Sequence, residues 1–161
     1  MSRREWALAE AYNMLIESQD RYDFNEIRCH SPLEALDLKG KKRFVADLVA
    51  SSSGGGKLIF IEIDKSGAAS HSVLKYFPYL KALFRDQALV KKVFLLHAFG
   101  EGFCLNKNQN LISHRKLAAF MARIMEEYFH PRFKYVPSDP PIRTKEAVPS
   151  WLRLRLDELH I

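Results

Sequence analysis

The 161-residue sequence predicts an α/β domain, with a central mixed sheet flanked by helices. Two observations carry that class. Two strand-like apolar runs, 41–51 and 57–64, are joined by a serine–glycine tip, as in an antiparallel hairpin. A third apolar run, 90–99, follows a long helical pattern, as a strand–helix–strand crossover requires.

The elements follow in order. "SRREWALAEAYNMLIESQ" repeats its apolar residues at three- and four-residue intervals and predicts a helix over 3–18. Ser2 with Glu5 three positions on reads as a capping box. "YDFNEIRCH" predicts a short extended stretch whose partner the sequence does not specify. "KKRFVADLVAS" and "KLIFIEID" are bounded by turn residues: Gly40 before, Ser51 to Gly56 between, Gly67 after. The second is apolar on both faces up to Glu62, as in a strand with neighbours on either side and layers above and below. "SHSVLKYFPYLKALFRDQ" predicts a helix that Pro78 either kinks or restarts. "VKKVFLLHAF" is a strand, and "ISHRKLAAFMARIMEEYF" a long helix stopped by Pro131. "RFKYVPS" suits an edge strand, since prolines follow it. "PSWLRLRLDELHI" closes the chain as a helix docking through Trp151, Leu152 and Leu156. The length fits one domain over 1–161, with a C-terminal extension from about 131.

Composition narrows the function classes. No run approaches the roughly 18 apolar residues of a membrane span, and the N-terminus lacks the apolar core of a signal peptide, so a cytoplasmic protein without membrane contact is expected. Cys29 and Cys104 have no zinc or disulfide-framework spacing. "SSSGGGK" lacks the spacing of a phosphate-binding P-loop. The net charge of +6 and pI near 9.4 point to a polyanionic partner, because clustered cations gain affinity by releasing phosphate counterions. Residues 111–145 hold seven Lys/Arg against three acids, and "KGKKR" adds a basic loop. Lys41, Lys42, Arg43, Lys65, Arg115 and Lys116 are the candidate nucleic-acid contacts.

Against this surplus stand three acids in apolar strands. Asp47 shares a strand face with Val45 and Val49, and Glu62 shares one with Asp64. A tip near 52–55 sets Asp47 roughly opposite Glu62. Like charges so close repel, and a divalent cation bridging them removes the cost. Hard oxygen ligands suit Mg²⁺ or Mn²⁺, so Asp47, Glu62 and Asp64 are the candidate metal ligands. Lys75 and Tyr79 follow at i and i+4 on the predicted helix. His71 and His97 lie near strand or helix ends but have no partner at metal-ligand spacing.

This pattern resembles the PD-(D/E)XK nuclease superfamily, the restriction-endonuclease-like fold, with its αβββαβ core. The resemblance covers roughly residues 3–99. Asp47 in "VADLVA" matches the family aspartate, and Glu62 in "FIEID" the first acid of the signature. Glu10 or Glu17 matches the helical glutamate of some members. The signature lysine position holds Asp64; Lys65 is adjacent but on the other strand face, and some members place the lysine on the next helix, where Lys75 stands with Lys81 behind it. "IEIDKSG" followed by "KYFPY" is also similar to the nuclease-like domains of plasmid replication-relaxation proteins. The resemblance implies Mg²⁺- or Mn²⁺-dependent hydrolysis of DNA phosphodiesters: Asp47, Glu62 and Asp64 on the metal, Lys75 on the attacking water or developing charge, Tyr79 on a phosphate. The departure at Asp64 implies the alternative, a catalytically silent nuclease-like domain that binds DNA or a protein partner. A homodimer would suit cleavage of both strands.

Overall fold

A computed structural model of the chain describes residues 2–33, 45–65, 69–100 and 111–161. In chain order the elements are α1 (Arg3–Glu17), β1 (Phe24–Pro32), β2 (Val45–Ser52), β3 (Lys57–Lys65), α2 (Ala69–Leu74), α3 (Tyr76–Asp86), β4 (Lys92–Gly100), α4 (Leu111–Tyr128), β5 (Phe133–Pro137) and α5 (Ala147–Glu158). The five strands form one sheet in the order β1-β2-β3-β4-β5. β1, β2 and β3 pair antiparallel, whereas β3, β4 and β5 pair parallel. The expected mixed sheet flanked by helices is therefore the architecture.

Local chemistry accounts for the elements. Ser2 Oγ accepts from the Glu5 amide at 3.2 Å and Glu5 Oε2 accepts from the Ser2 amide at 2.6 Å, the capping box that starts α1. At the β2–β3 tip Gly54 and Gly55 have φ of 81° and 68°, a left-handed conformation that glycine adopts without steric cost. The stretch with no assigned partner becomes β1, a nine-residue edge strand on β2. Of the two outcomes expected of Pro78 within 70–87, a kink or a restart, the helix restarts. Pro78 has no N–H for the Leu74 carbonyl, so α2 ends there and α3 begins at Tyr76, with Pro78 in its first turn, where a missing N–H costs little.

One sheet face packs on α1 and α5 through Ile59, Ile61, Ile63, Phe94 and Leu96. The other packs on α2, α3 and α4 through Phe60, Leu95, Phe99, Tyr76 and Ala122. Leu152 and Leu156 of α5 are fully buried, and Trp151 packs beside them, as its docking pattern predicts. No helix among the described residues is long and apolar enough to cross a membrane.

Candidate active site at the mouth of the hairpin

The β2–β3 ladder runs from Ser51–Leu58 to Leu48–Ile61. Beyond it, side chains take the backbone groups that further pairing would use. The Ile63 N–H donates to Asp47 Oδ2 at 2.9 Å, and the Ile63 carbonyl accepts from Arg4 Nε at 2.8 Å. The Val45 carbonyl accepts from Lys75 Nζ at 2.8 Å. The strands thus part where the acids begin. Asp47 and Glu62, expected roughly opposite each other, both lie just past the last pair of this ladder, Leu48–Ile61.

Each acid has its own partners. Asp47 pairs with Arg4 Nη2 at 2.6 Å. Glu62 Oε1 lies 2.8 Å from Lys75 Nζ and accepts a hydrogen bond from the Tyr76 hydroxyl. Asp64 Oδ2 lies 2.7 Å from His97 Nε2, and His97 Nδ1 lies 3.0 Å from the Tyr135 hydroxyl. Asp47, Glu62 and Asp64 are 6%, 2% and 7% exposed, so each meets its partners largely out of contact with water.

Burial pushes the Glu62 carboxyl up to about 7 and the Asp47 charge adds to it, against the opposing pull of Lys75. Burial also pushes Asp64 up, but hydrogen bonds from His97 and Ser72, with the charge of Lys75, outweigh it and leave that carboxyl below its usual range. Burial, followed by the Glu62 charge, raises the Tyr76 phenol well above its usual range, so it stays a donor.

The predicted site residues separate into groups. Asp47, Glu62 and Lys75 come together at the hairpin mouth. Asp64 shares their strand face but turns to β4. Tyr79 packs edge-on against Phe60, with ring centroids 5.5 Å apart, and the phenol at Glu62 belongs to Tyr76. The α1 residue that enters the site is Arg4, whereas Glu10 is half-buried and Glu17 exposed. Arg115 and Lys116 line a cavity beside β4 and β5. Lys41, Lys42, Arg43 and the Lys65 side chain lie outside the described residues.

Sequence reasoning missed Arg4, Tyr76 and the role of His97. His97 carried a signal, as a lone imidazole in an otherwise apolar strand, but its partner lies across a crossover.

No group of three or more His, Cys, Asp or Glu side chains among the described residues is arranged to hold a metal ion. The three acids expected to share one ion are thus not gathered: the Asp47 charge acts on Glu62, and Asp64 pairs with His97. Asp47 and Glu62 suffice in donor type for Mg²⁺, which commonly takes one or two carboxylates with waters and substrate phosphates completing its shell. The raised Glu62 carboxyl beside a second acid is the electrostatic situation that a bound cation relieves. Comparison of the chain with protein-family models, curated proteins and solved structures finds no match.

Proposed function

We propose that the chain is a metal-dependent DNA endonuclease of restriction-endonuclease-like architecture. The observation that carries this reading is the parted end of the β2–β3 hairpin, where the Asp47 charge acts on Glu62 and the Lys75 amine stands 2.8 Å from Glu62. The order of helix, three meandering strands, helices and parallel strand supports it, since this is the core that the resemblance implies.

In this reading Asp47 and Glu62 hold a Mg²⁺ or Mn²⁺ ion, with Asp64 fixed behind them by His97. When bound, the ion supplies charge neutralisation at the phosphate and a more acidic water. Lys75, held by Glu62 and the Val45 carbonyl, orients the water or stabilises negative charge on the phosphate oxygens. Glu62, titrating near neutrality, can hold or release a proton at its carboxyl oxygens. Tyr76 and Arg4 position Glu62 and Asp47.

Incubation with plasmid, branched and single-stranded DNA plus Mg²⁺ or Mn²⁺ tests the proposal. Cleavage abolished by EDTA and by Asp47→Ala is the expected result. No cleavage of any substrate, or cleavage indifferent to both, refutes it.

A second reading, a catalytically silent nuclease-like domain that binds DNA, is favoured by one feature: Arg4 already neutralises Asp47 at 2.6 Å, in a site where all three acids are buried. It predicts salt-sensitive DNA binding that survives EDTA.

A further inference from the structure

β4 and β5 run parallel, and their C-terminal ends lie at the same edge of the sheet as the Asp64 end of β3. The space beyond these ends is bounded by α4. Here it holds a cavity of about 270 Å³, lined by Phe99, Arg115, Lys116, Tyr135, Ser138 and Asp139 among others.

The chemistry of this lining is that of an anion receptor. Two successive residues of α4, Arg115 and Lys116, line the cavity together with Tyr135 and Ser138. The Arg115 guanidinium lies 5.7 Å from the centre of the Phe99 ring, which holds its plane at the cavity wall. Its Nε is shielded from solvent and has no hydrogen-bond partner among the described residues, a deficit that buried donors rarely carry. Its Nη2 meets Asp139 at 3.3 Å, a long contact to a carboxylate that is 82% exposed. Asp139 therefore occupies, loosely and from the solvent side, the position a stronger oxyanion would take.

We propose that this cavity is a phosphate-binding subsite, in which Arg115 and Lys116 hold a phosphate group of a nucleic-acid strand and displace Asp139. The subsite joins the carboxylate cluster through an unbroken chain: Tyr135 hydroxyl to His97 at 3.0 Å, and His97 to Asp64 at 2.7 Å. A strand seated in it runs past the C-terminal ends of β4 and β3 towards the hairpin mouth. As a nucleic-acid subsite it rests on the function proposed above; as a phosphate receptor it does not.

The test is a titration of the full chain, in EDTA, with inorganic phosphate and with a short oligodeoxynucleotide bearing or lacking a 5′-phosphate, followed by amide chemical shifts. Saturable shifts at Tyr135, Ser138 and Asp139 are expected, weakened about tenfold by Arg115→Ala and partly restored by Arg115→Lys. Asp139→Asn should tighten binding, which a merely structural role for Arg115 does not predict. A 5′-phosphate that strengthens binding marks a strand end as the ligand; equal binding of both oligonucleotides marks an internal diester, and either supports the subsite. Shifts absent here, or unchanged by Arg115→Ala and Asp139→Asn together, overturn it. Because the titration needs neither metal nor Asp47, failed cleavage with intact phosphate binding removes only the nuclease reading, and the converse removes only the subsite.

Discussion

Glu62 and Asp64 stand two residues apart on one face of one strand, both buried, yet their surroundings drive them in opposite directions. Burial, with the negative charge of Asp47 adding to it, raises the Glu62 carboxyl to about 7. Asp64 faces β4, where His97 and Ser72 donate to it, and its carboxyl is held below its usual range. Both acids are buried and both accept hydrogen bonds, so what separates them is the balance: burial, with the Asp47 charge added, outweighs Lys75 and Tyr76 at Glu62, whereas His97, Ser72 and Lys75 outweigh burial at Asp64. Such a pair divides labour: one acid that exchanges a proton near neutrality and one that stays charged.

Breaking the Glu62 side should have the largest effect. Lys75→Met removes the cation at 2.8 Å from a buried carboxylate, and at about pH 8 it should cost about 4 kcal/mol in denaturant unfolding. The cost should shrink at about pH 5, where Glu62 carries a proton. A pH-independent loss would show that Lys75 acts through packing instead.

The next effect is a pH profile. The folded carboxyl of Glu62 lies above its ordinary value of 4.5, so its stability contribution is complete below that value and disappears as pH rises through about 7. The span corresponds to about 3 kcal/mol. Wild type should therefore lose stability relative to Glu62→Gln across this window, and parallel profiles would contradict the assignment.

On the Asp64 side, His97→Leu should cost about 2 kcal/mol by leaving Asp64 and Tyr135 without their shared partner, and should move the Asp64 carboxyl upward in a carboxyl NMR titration. Tyr135→Phe deletes only the outer hydrogen bond of that chain. It should cost about 1 kcal/mol and leave the Glu62 titration unmoved, which would sharpen the separation of the two sides.

The Glu62 side was the more legible in sequence. Hairpin register follows from counting back from a glycine tip, so the approach of Asp47 and Glu62 to the same end of the hairpin was readable from the sequence. Lys75 was readable as the first lysine of the next helix. Tyr76 was not, because a continuous helix favours Tyr79 at i+4, and the break beside Pro78 resets the phase. The Asp64 side depends on the parallel register of β3 and β4, which a crossover sets by helix packing and no local pattern encodes. Arg4 was hidden for a similar reason: an arginine in a first helical turn looks solvated until the helix is placed against the sheet.

The most direct measurement is a carboxyl NMR titration of Glu62 with and without Mg²⁺. A midpoint near 7 that falls when Mg²⁺ is added, and does not fall in Asp47→Ala, is the result expected of paired acids at a cation site. A midpoint at the ordinary 4.5, or one indifferent to Mg²⁺, would contradict it.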